Sequence, residues 1–495
     1  MENQILVNEY VSARDNFIRI PGKQKEKSSF WLGVRDYFNS AAKDRLRWKS
    51  KNKFYHALLE KYFKSFIPRD KRVLELGCGT GELLASVKPS YGAGVDFSEK
   101  MLEIAKNKFP NLNFFVQDAE DLIIDNKFDY IILSDLLSSL NDVQKVLYNL
   151  NNVSNNKTRI IISNFNYLWE PTLRLGEKIG LKAKQPLMNW LSTKDIENLL
   201  ELEGFEIIRT ENKILLPKKI FFISWFFNSI VANLPLFRRL TLVNFIIARK
   251  KEAVIKDASV TVVIPARNEE GNIEEAVLRM PNFGRTREII FIEGNSSDNT
   301  YEEMLRVQKE YSDKRIVVMK QSGKGKGNAV REAFDAATGD ILMILDADLT
   351  MPPEDLPKYY NALIENKADF INGCRLVYPM EREAMRFLNL IANKIFGLLF
   401  SYLLGQKLKD TLCGTKVLSK DDYLTIKQNR DYFGDFDPFG DFDLLFGASK
   451  QNLKIIEIPI RYRDREYGTT QISRFSHGWL LLKMSVFAAR KIKFI

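Results

Sequence analysis

Two successive α/β units, each built on a mainly parallel sheet, are what this sequence predicts. Three observations predict them. Short apolar runs of strand length alternate with helical stretches, and the alternation occurs twice. In the first unit a glycine-rich turn, "VLELGCGTGELL" (Val73–Leu84), joins the first strand to a helix. In the second, the apolar run "ILMIL" ends abruptly in two aspartates, Asp346 and Asp348. Like charges placed there repel and lose hydration unless a cation shares the site.

A chain of 495 residues suits two or three domains. Hydrophobic residues at 45% and charged residues at 28% leave ample material for two cores. The net charge is +11, and "RLRWKSKNK" (Arg45–Lys53) holds five cations and no anion. That balance suits anionic partners such as nucleotides or phospholipid headgroups. Nucleic acid is not expected, because no RNP-type aromatic motif, zinc knuckle or helix-turn-helix signal is present. Three cysteines without a Cys-x-x-Cys pair argue against a disulfide framework and a zinc cluster. Two histidines, His56 and His477, argue against a histidine metal site or a serine–histidine triad. The start, "MENQILVNEY", lacks the basic-then-apolar pattern of a secretory leader, so a cytoplasmic setting is expected.

The expected organisation is a helical, basic extension over 1–50, a first domain over 51–250, a polar linker over 251–258, a second domain over 259–475 and a C-terminal amphipathic helix over 476–495. Two apolar runs, Ile220–Leu236 and Phe387–Gly405, are broken by Asn228, Asn233 and Pro235 and by Asn389, Asn393 and Lys394. Both read as amphipathic helices rather than membrane spans, which need about 20 apolar residues. With the C-terminal "HGWLLLKMSVFAARKIKF", they make peripheral contact at the cytoplasmic face of a membrane an expectation, packing within the protein being the alternative.

In the first unit, Gly77, Gly79 and Gly81 let backbone pass close to a ligand. The next strand, "GAGVD", ends in Asp96, whose carboxylate can accept both ribose hydroxyls of a nucleoside. The third strand brings Asp118 next to Ala119, suited to an adenine amino group. Glu75, Gly77, Cys78, Gly79 and Gly81 in E-L-G-C-G-T-G, followed by Asp96 and Asp118, resemble the class I S-adenosylmethionine-dependent methyltransferases. The resemblance covers residues 51–250, including a tail similar to that fold's final antiparallel strands. It implies a Rossmann-like sheet and S-adenosylmethionine held by these residues and Ala119, with Glu75 orienting the amine-bearing end. "LSDLLSSLND" (Leu133–Asp142) and "SNFNYLW" (Ser163–Trp169) sit where such enzymes line the acceptor pocket. Asp135 is a candidate base or else a solvated loop acid, and no histidine lies nearby in sequence.

The second unit opens with "VTVVIPARNEE", a buried strand, then Pro265, with Asn268 and Glu269 in the turn. "IIFIEGNSSDNT" ends its strand in Glu293 and carries Asp298. Acceptor groups thus gather at one sheet edge, where open α/β folds bind ligands. "KQSGKGKGNAVREAF" places Lys324 and Lys326 in a glycine loop, and Gly327 and Asn328 open a helix whose positive end favours phosphate. The glycine spacing is not that of a Walker A loop. "PARNE", "EGNSSDNT" and "DAD", with "DTLCGTKVLS", "FGDFDLLF" and "IEIPIRYRDREYGTTQISRF", resemble the family 2 glycosyltransferases of GT-A fold. Among them the polyprenyl-phosphate sugar transferases are most similar.

That resemblance implies a nucleotide-sugar donor bound by Pro265, Asn268, Glu269, Glu293, Asp298, Lys326 and Asp346. It implies Mg²⁺ or Mn²⁺ on Asp346 and Asp348, neutralising charge on the departing diphosphate. Gly294 departs from relatives that carry a second acid after Glu293, so Glu293 would contact the base alone. Arg375 and Arg386 sit where the polyprenyl-phosphate enzymes hold lipid phosphate. Lys416 and Arg465 are further acceptor cations, and Arg465 and Tyr467 belong to a loop near the site. A phosphate acceptor is already ionised; a glycan hydroxyl needs a base, for which Asp443 is the best candidate, while Asp348 is catalytic through the metal. Both acceptors stay open. The expected protein is a bifunctional enzyme of glycolipid or surface-polysaccharide synthesis, transferring methyl and, with inversion, sugar. The alternative is a glycosyltransferase with a non-catalytic docking module of methyltransferase fold.

Overall fold

The computed structural model describes residues 29–183, 189–251, 257–377, 387–430, 441–460, 467 and 482–494. Arg386, Arg465 and most of the linker, 252–256, lie outside the described residues.

Seven strands form the first sheet: β1 (Arg72–Leu76), β2 (Tyr91–Asp96), β3 (Asn113–Val116), β4 (Tyr130–Ser134), β5 (Arg159–Phe165), β6 (Phe205–Lys213) and β7 (Val243–Lys250). Their order is β3-β2-β1-β4-β5-β7-β6. β1 to β5 run parallel, and β7 lies antiparallel between β5 and β6. The central strands are apolar throughout because both faces are covered. Alternate residues feed opposite layers. Leu74, Leu76, Ile131, Leu133, Ile160 and Ile162 join one core cluster, and Val73, Tyr130, Ile132 and Ile161 the other. The expected antiparallel tail is β6 and β7. Between them the chain makes an excursion over 214–242, including the short helix Ile223–Ser229.

The second sheet contains β8 (Val260–Ala266), β9 (Arg287–Glu293), β10 (Arg315–Lys320), β11 (Ile341–Ile344), β12 (Phe370–Cys374), β13 (Lys416–Ser419) and β14 (Ile455–Pro459), ordered β10-β9-β8-β11-β13-β12-β14. β13 alone of these runs antiparallel, to both β11 and β12. Pro265 pairs within the β8–β9 ladder, beyond the stretch where β8 meets β11, so its missing N–H costs no bond on that side.

The two halves meet through buried charge. Asp369, just before β12, accepts from Arg159 Nη2 on β5 (2.7 Å) and from Arg249 Nη1 on β7 (2.6 Å). Asn452 adds a second fastening. Its side chain accepts from Arg209 Nη2 (2.7 Å) and donates to the Phe66 carbonyl (2.8 Å), and its own carbonyl accepts from Arg159 Nε (2.8 Å). A β-bulge between Ile207 and Arg209 marks the stretch of β6 that supplies Arg209.

In its described part, 482–494, the C-terminal stretch packs one face within the protein, with Leu482 and Val486 left exposed. Met484 and Ala488 are buried in the second core with Phe400 and Phe442, and Lys493 Nζ lies 2.6 Å from Glu211 Oε2 of the first half. Burial pushes the Glu211 carboxyl up, but Lys493, Lys213 and Arg209 outweigh it and bring it down to about 2. The run Phe387–Leu404 is one helix. Asn393 is buried and donates to Asp410 Oδ1 (3.0 Å), while Phe400, Leu403 and Leu404 enter the core. Among the described residues no helix is long and apolar enough to cross a membrane.

Removing the shared carboxylate takes this counter-charge from the buried Arg159 guanidinium and leaves Arg249 with Glu206 (2.6 Å) in its place. Asp369→Ala is expected to cost about 3–5 kcal/mol, the usual penalty for stranding a buried charge. Scanning calorimetry checks it: the melting of Asp369→Ala should fall and separate into two transitions, and Asp369→Asn should lie between it and the parent chain.

Candidate active sites

The first site forms where β1, β2 and β4 end. Gly77 has φ +71°, a left-handed conformation that favours glycine, and a Cβ there would press on Leu136 Cδ1 at 2.8 Å. Asp96 braces it: Oδ2 accepts from the Gly79 amide (2.8 Å) and Oδ1 from the Ser98 amide (2.9 Å). Burial nevertheless raises the Asp96 carboxyl above its ordinary range. Asp118 caps the short turn Ala119–Asp121, accepting from the Glu120 amide (3.0 Å). Cys78 and Ala119 are buried beside these acids, and Gly81 caps the helix Glu82–Ser86.

Glu75 lies at the base of the turn, buried, with Oε2 unpartnered. Burial pushes its carboxyl up to about 8, the pull of Lys49 being too weak to compensate. A buried carboxylate oxygen without a hydrogen-bond partner, placed under a glycine turn, suits a cationic partner.

The helix Ser29–Lys51 covers the cleft, a contribution of the N-terminal extension that local motifs did not show. Lys49 Nζ reaches Thr80 Oγ1 (3.1 Å) and Glu82, Asn39 meets Ser98 (2.7 Å), and Phe38 packs edge-on against Phe97. Val34 joins Gly77, Asp96, Asp118, Ala119 and Leu136 around a cavity of about 40 Å³. That space is small beside the 300–1,000 Å³, roughly, of ordinary ligand pockets.

Asp135 stands at the end of β4 with φ +54°, a left-handed conformation uncommon outside glycine. Tyr55 Oη donates to its Oδ2 and Ser163 Oγ to its Oδ1, each at 3.0 Å. Burial raises the Asp135 carboxyl to about 6 against the pull of those two donors. Tyr55 was invisible in the local motif, because it comes from the helix Lys53–Phe66. His56 follows it there, and the two rings are 5.3 Å apart. Burial first, then Lys49 and Arg45, bring the His56 imidazole down to about 4. A neutral histidine therefore does stand near this site, supplied from a distant part of the chain.

In the second half the loops after β8 and β9 bind each other. Asn268, with φ +56°, accepts from the Ser297 amide (2.7 Å) and donates its own amide to Ser296 Oγ (3.1 Å). The Glu269 amide donates to Thr300 Oγ1 (2.9 Å), and its carboxylate accepts from Asn272 (2.7 Å). Asp298 accepts from the Thr300 amide (3.1 Å), and buried Glu293 from the Ser296 amide. Tyr467 covers this edge so closely that a Cβ on Gly271 would meet its ring.

Asp346 and Asp348 follow β11. Lys326, at the start of the helix Lys326–Ala336, lies 2.5 Å from Asp346 Oδ1. Burial alone would raise the Asp346 carboxyl; Lys326, then Lys416 and Arg375, overcome it and hold it below its ordinary range. Asp348 Oδ1 accepts from Thr350 Oγ1 (2.8 Å) and the Thr350 amide (3.2 Å). Gly414, before β13, closes the group. A Cβ there would strike both the Asp346 carboxylate and the Lys326 ammonium. Its role lies in a contact across the sheet, which local sequence does not show.

The expected acceptor cations are arranged differently. Arg375 forms a two-pronged pair with fully buried Asp410, Nε to Oδ2 at 2.7 Å and Nη2 to Oδ1 at 2.9 Å. Lys416 is buried, and its ammonium donates to the Cys413 carbonyl. Both act on Asp346 electrostatically from within the protein. Asp443 is buried and accepts from Arg430 Nε (2.9 Å), with Arg331 Nη1 at 3.9 Å.

Each half is an α/β unit with acids gathered at one edge of its own sheet. Residues 47–210 match the family model described as a methyltransferase domain, and residues 261–425 that of glycosyl transferase family 2. The chain is thus a fusion of a Rossmann-like methyltransferase domain with a GT-A-like domain of glycosyltransferase family 2. It is 29% identical over 219 residues to the dolichol-phosphate mannosyltransferase of Pyrococcus furiosus, spanning 43% of this chain and 59% of that protein. It is 27% identical over 220 residues to the undecaprenyl-phosphate 4-deoxy-4-formamido-L-arabinose transferase of Salmonella paratyphi B, spanning 43% and 62%. The chain therefore covers about three fifths of the length of either relative. A solved S-adenosylmethionine-dependent methyltransferase of Thermotoga maritima aligns at 17% identity and TM-score 0.35, over 44% of this chain and all of that one.

The Glu75 carboxyl has a consequence for stability. A folded value of about 8, above the ordinary carboxyl range, means the folded protein holds a proton the unfolded chain releases. Stability is lost as pH rises from about 4 toward 8, then levels off. Glu75→Gln is expected to raise the melting temperature at pH 8 and leave it nearly unchanged at pH 4, measured by thermal denaturation at both.

Proposed function

We propose that the second domain transfers a sugar, with inversion, from a nucleotide-sugar donor to a lipid-phosphate acceptor. The first would transfer a methyl group from S-adenosylmethionine, and both would work in glycolipid or surface-polysaccharide synthesis at the cytoplasmic face of a membrane. The observation that carries the sugar reading is the cluster of Asp346, Lys326 and Gly414. A carboxylate is kept ionised at a strand end, already faced by a cation, with glycine clearing the space around it.

Among the described residues no three His, Cys, Asp or Glu side chains gather as a metal site. Mg²⁺ and Mn²⁺ need no such cage when one or two carboxylates and substrate phosphates complete the shell. The residues fit on that basis: Asp346 and Asp348 would hold the ion, and the Lys326 ammonium marks where positive charge is favoured. When bound, the ion supplies Lewis-acid stabilisation of the departing diphosphate. Lys326, released from Asp346, would reach the diphosphate oxygens. The paired loops carrying Pro265, Asn268, Glu269, Glu293 and Asp298 would hold the nucleoside end.

The choice of acceptor follows from Asp443. A glycan hydroxyl needs a base, and here that carboxylate is engaged by Arg430 and flanked by Arg331. A phosphate acceptor requires no proton transfer. The two curated relatives named above act, by their names, on dolichol phosphate and undecaprenyl phosphate, which supports the same choice. Arg386 and Arg465 are the proposed acceptor cations, with Arg375 and Lys416 supporting Asp346.

For the methyl donor, the orphaned Glu75 oxygen fits the ammonium of S-adenosylmethionine, and Asp96, Asp118 and Ala119 would take its nucleoside. Asp135, steadied by Tyr55 and Ser163, is the proposed base. The covering helix and the small cavity favour a second reading, a docking module that does not turn over.

Three measurements test these readings. Hydrolysis of uridine, guanosine and cytidine diphosphate sugars with Mn²⁺ should show one preferred donor. Asp346→Asn, Asp348→Asn and Gly414→Ala should each lose at least a hundredfold in sugar transfer and leave methyl transfer unchanged. Activity indifferent to chelator and to all three substitutions would overturn the metal reading. Binding of S-adenosylmethionine by the whole chain should displace the Glu75 proton. Affinity then weakens by up to tenfold per pH unit below about 8 and falls again at higher pH, where the ligand's own ammonium loses its proton. Calorimetry without heat at millimolar ligand would favour the docking reading.

A further inference from the structure

The excursion between β6 and β7 is inverted: its polar side chains face inward and its aromatic ones outward. Asn228 is buried, accepting from the Leu215 and Leu216 amides and donating to the Leu216 carbonyl, each at 2.8 Å. Ser224 ties back to the Lys218 carbonyl (2.7 Å) and the Ile220 amide (2.6 Å). Asn233 accepts from buried Lys213 (2.9 Å) and donates to the Ser229 carbonyl (3.0 Å). The residues that interrupt the apolar run are thus the fastenings that hold it in place.

What they hold outward is apolar. Phe221 is 94% exposed, Leu236 77%, Phe222 66% and Trp225 54%, with Ile220, Ile223, Phe226, Phe227 and Leu240 also open to solvent. Monomeric soluble proteins seldom present so much contiguous apolar surface without a partner for it. Lys218 and Lys219 precede the patch and Arg238 and Arg239 follow its start, all four exposed. From Asn212 to Lys251 the chain has no Asp or Glu.

The face continues onto the glycosyltransferase half. Arg238 lines a cavity of about 680 Å³ between the halves with Arg209, Leu398, Tyr402, Lys407 and Lys409. Leu398 is 75% exposed, while the Tyr402 hydroxyl and Arg209 Nε are buried without a partner. Aromatic side chains ringed by cations suit the interface of a bilayer with anionic headgroups. Two copies of this chain would bring like charges together.

We propose that the segment Ile220–Leu240, continued by Leu398, is a surface that seats the protein on an anionic lipid bilayer, the basic cavity facing the headgroups. This goes beyond the catalytic reading and is measured without turnover, so either can fail alone.

The test uses the full chain and vesicles of phosphatidylcholine with or without 30 mol% phosphatidylglycerol, a composition chosen for the assay as about one anionic lipid in three. Co-sedimentation is expected with the anionic vesicles. Phe221→Ser with Trp225→Ser should lower the partition coefficient at least tenfold, and Arg238→Gln with Arg239→Gln at least threefold. Because all four side chains are exposed, melting temperatures should not move. Brominated lipid should quench tryptophan emission in the parent chain and less in Trp225→Phe, a readout that does not depend on the double variants folding. Absence of co-sedimentation, equal partition by parent and Phe221→Ser/Trp225→Ser, or unchanged quenching in Trp225→Phe would overturn the proposal. So would a lipid-free dimer in sedimentation velocity that the aromatic substitutions dissolve, which would assign the patch to a second copy.

Discussion

The arrangement of this molecule depends on one carboxylate shared across a joint. Asp369 stands between Arg159 and Arg249, so cations of two adjacent strands in one sheet share a carboxylate from a loop of the other, Arg249 holding Glu206 of its own sheet as well. Buried charge is costly unless paired and hydrogen-bonded, and this set is satisfied only when the halves sit in one relation. Apolar contact alone would allow sliding. Arg209 on Asn452, and Asn452 on the Phe66 carbonyl, confirm the same placement with directional bonds.

The two sites treat buried acid in opposite ways. Glu75 is enclosed with only weak help from cations, so its neutral form is favoured and its proton becomes something a cationic ligand can displace. Asp346 is half-buried, and Lys326, then Lys416 and Arg375, hold its carboxyl below its ordinary range. One acid stores a proton and the other stores a negative charge. The difference lies in neighbouring lysines and arginines as well as in depth, Glu75 being 2% exposed and the Asp346 side chain 33%.

Much of this was legible in the residues. The strand ends at Glu75, Asp96, Asp118, Glu293 and Asp346 fall where apolar runs meet glycine or acid, a local signal that strand periodicity makes reliable. Partners that arrive from far along the chain were not legible. Tyr55 reaches Asp135 across 80 positions, Gly414 abuts Asp346 from another strand, and His56 stands near a site whose own segment has no histidine. Arg375 had the right look for a phosphate ligand, but its two-pronged bond to Asp410 is a fact of three dimensions. The asparagines at 228 and 233 mark an interruption in sequence, while their inward direction is set by the fold.

The final residues bear on how such a protein can be taken apart. Lys493 belongs to the glycosyltransferase side of the chain, yet its ammonium rests on Glu211 and its carbonyl accepts from Lys213 (3.0 Å), both on the methyltransferase side. Severing the chain within the linker would leave each fragment with ionised groups exposed from a formerly dry seam. Such fragments report on the damage as much as on their chemistry. A chimaera borrowing either module would have to import the matching tail as well.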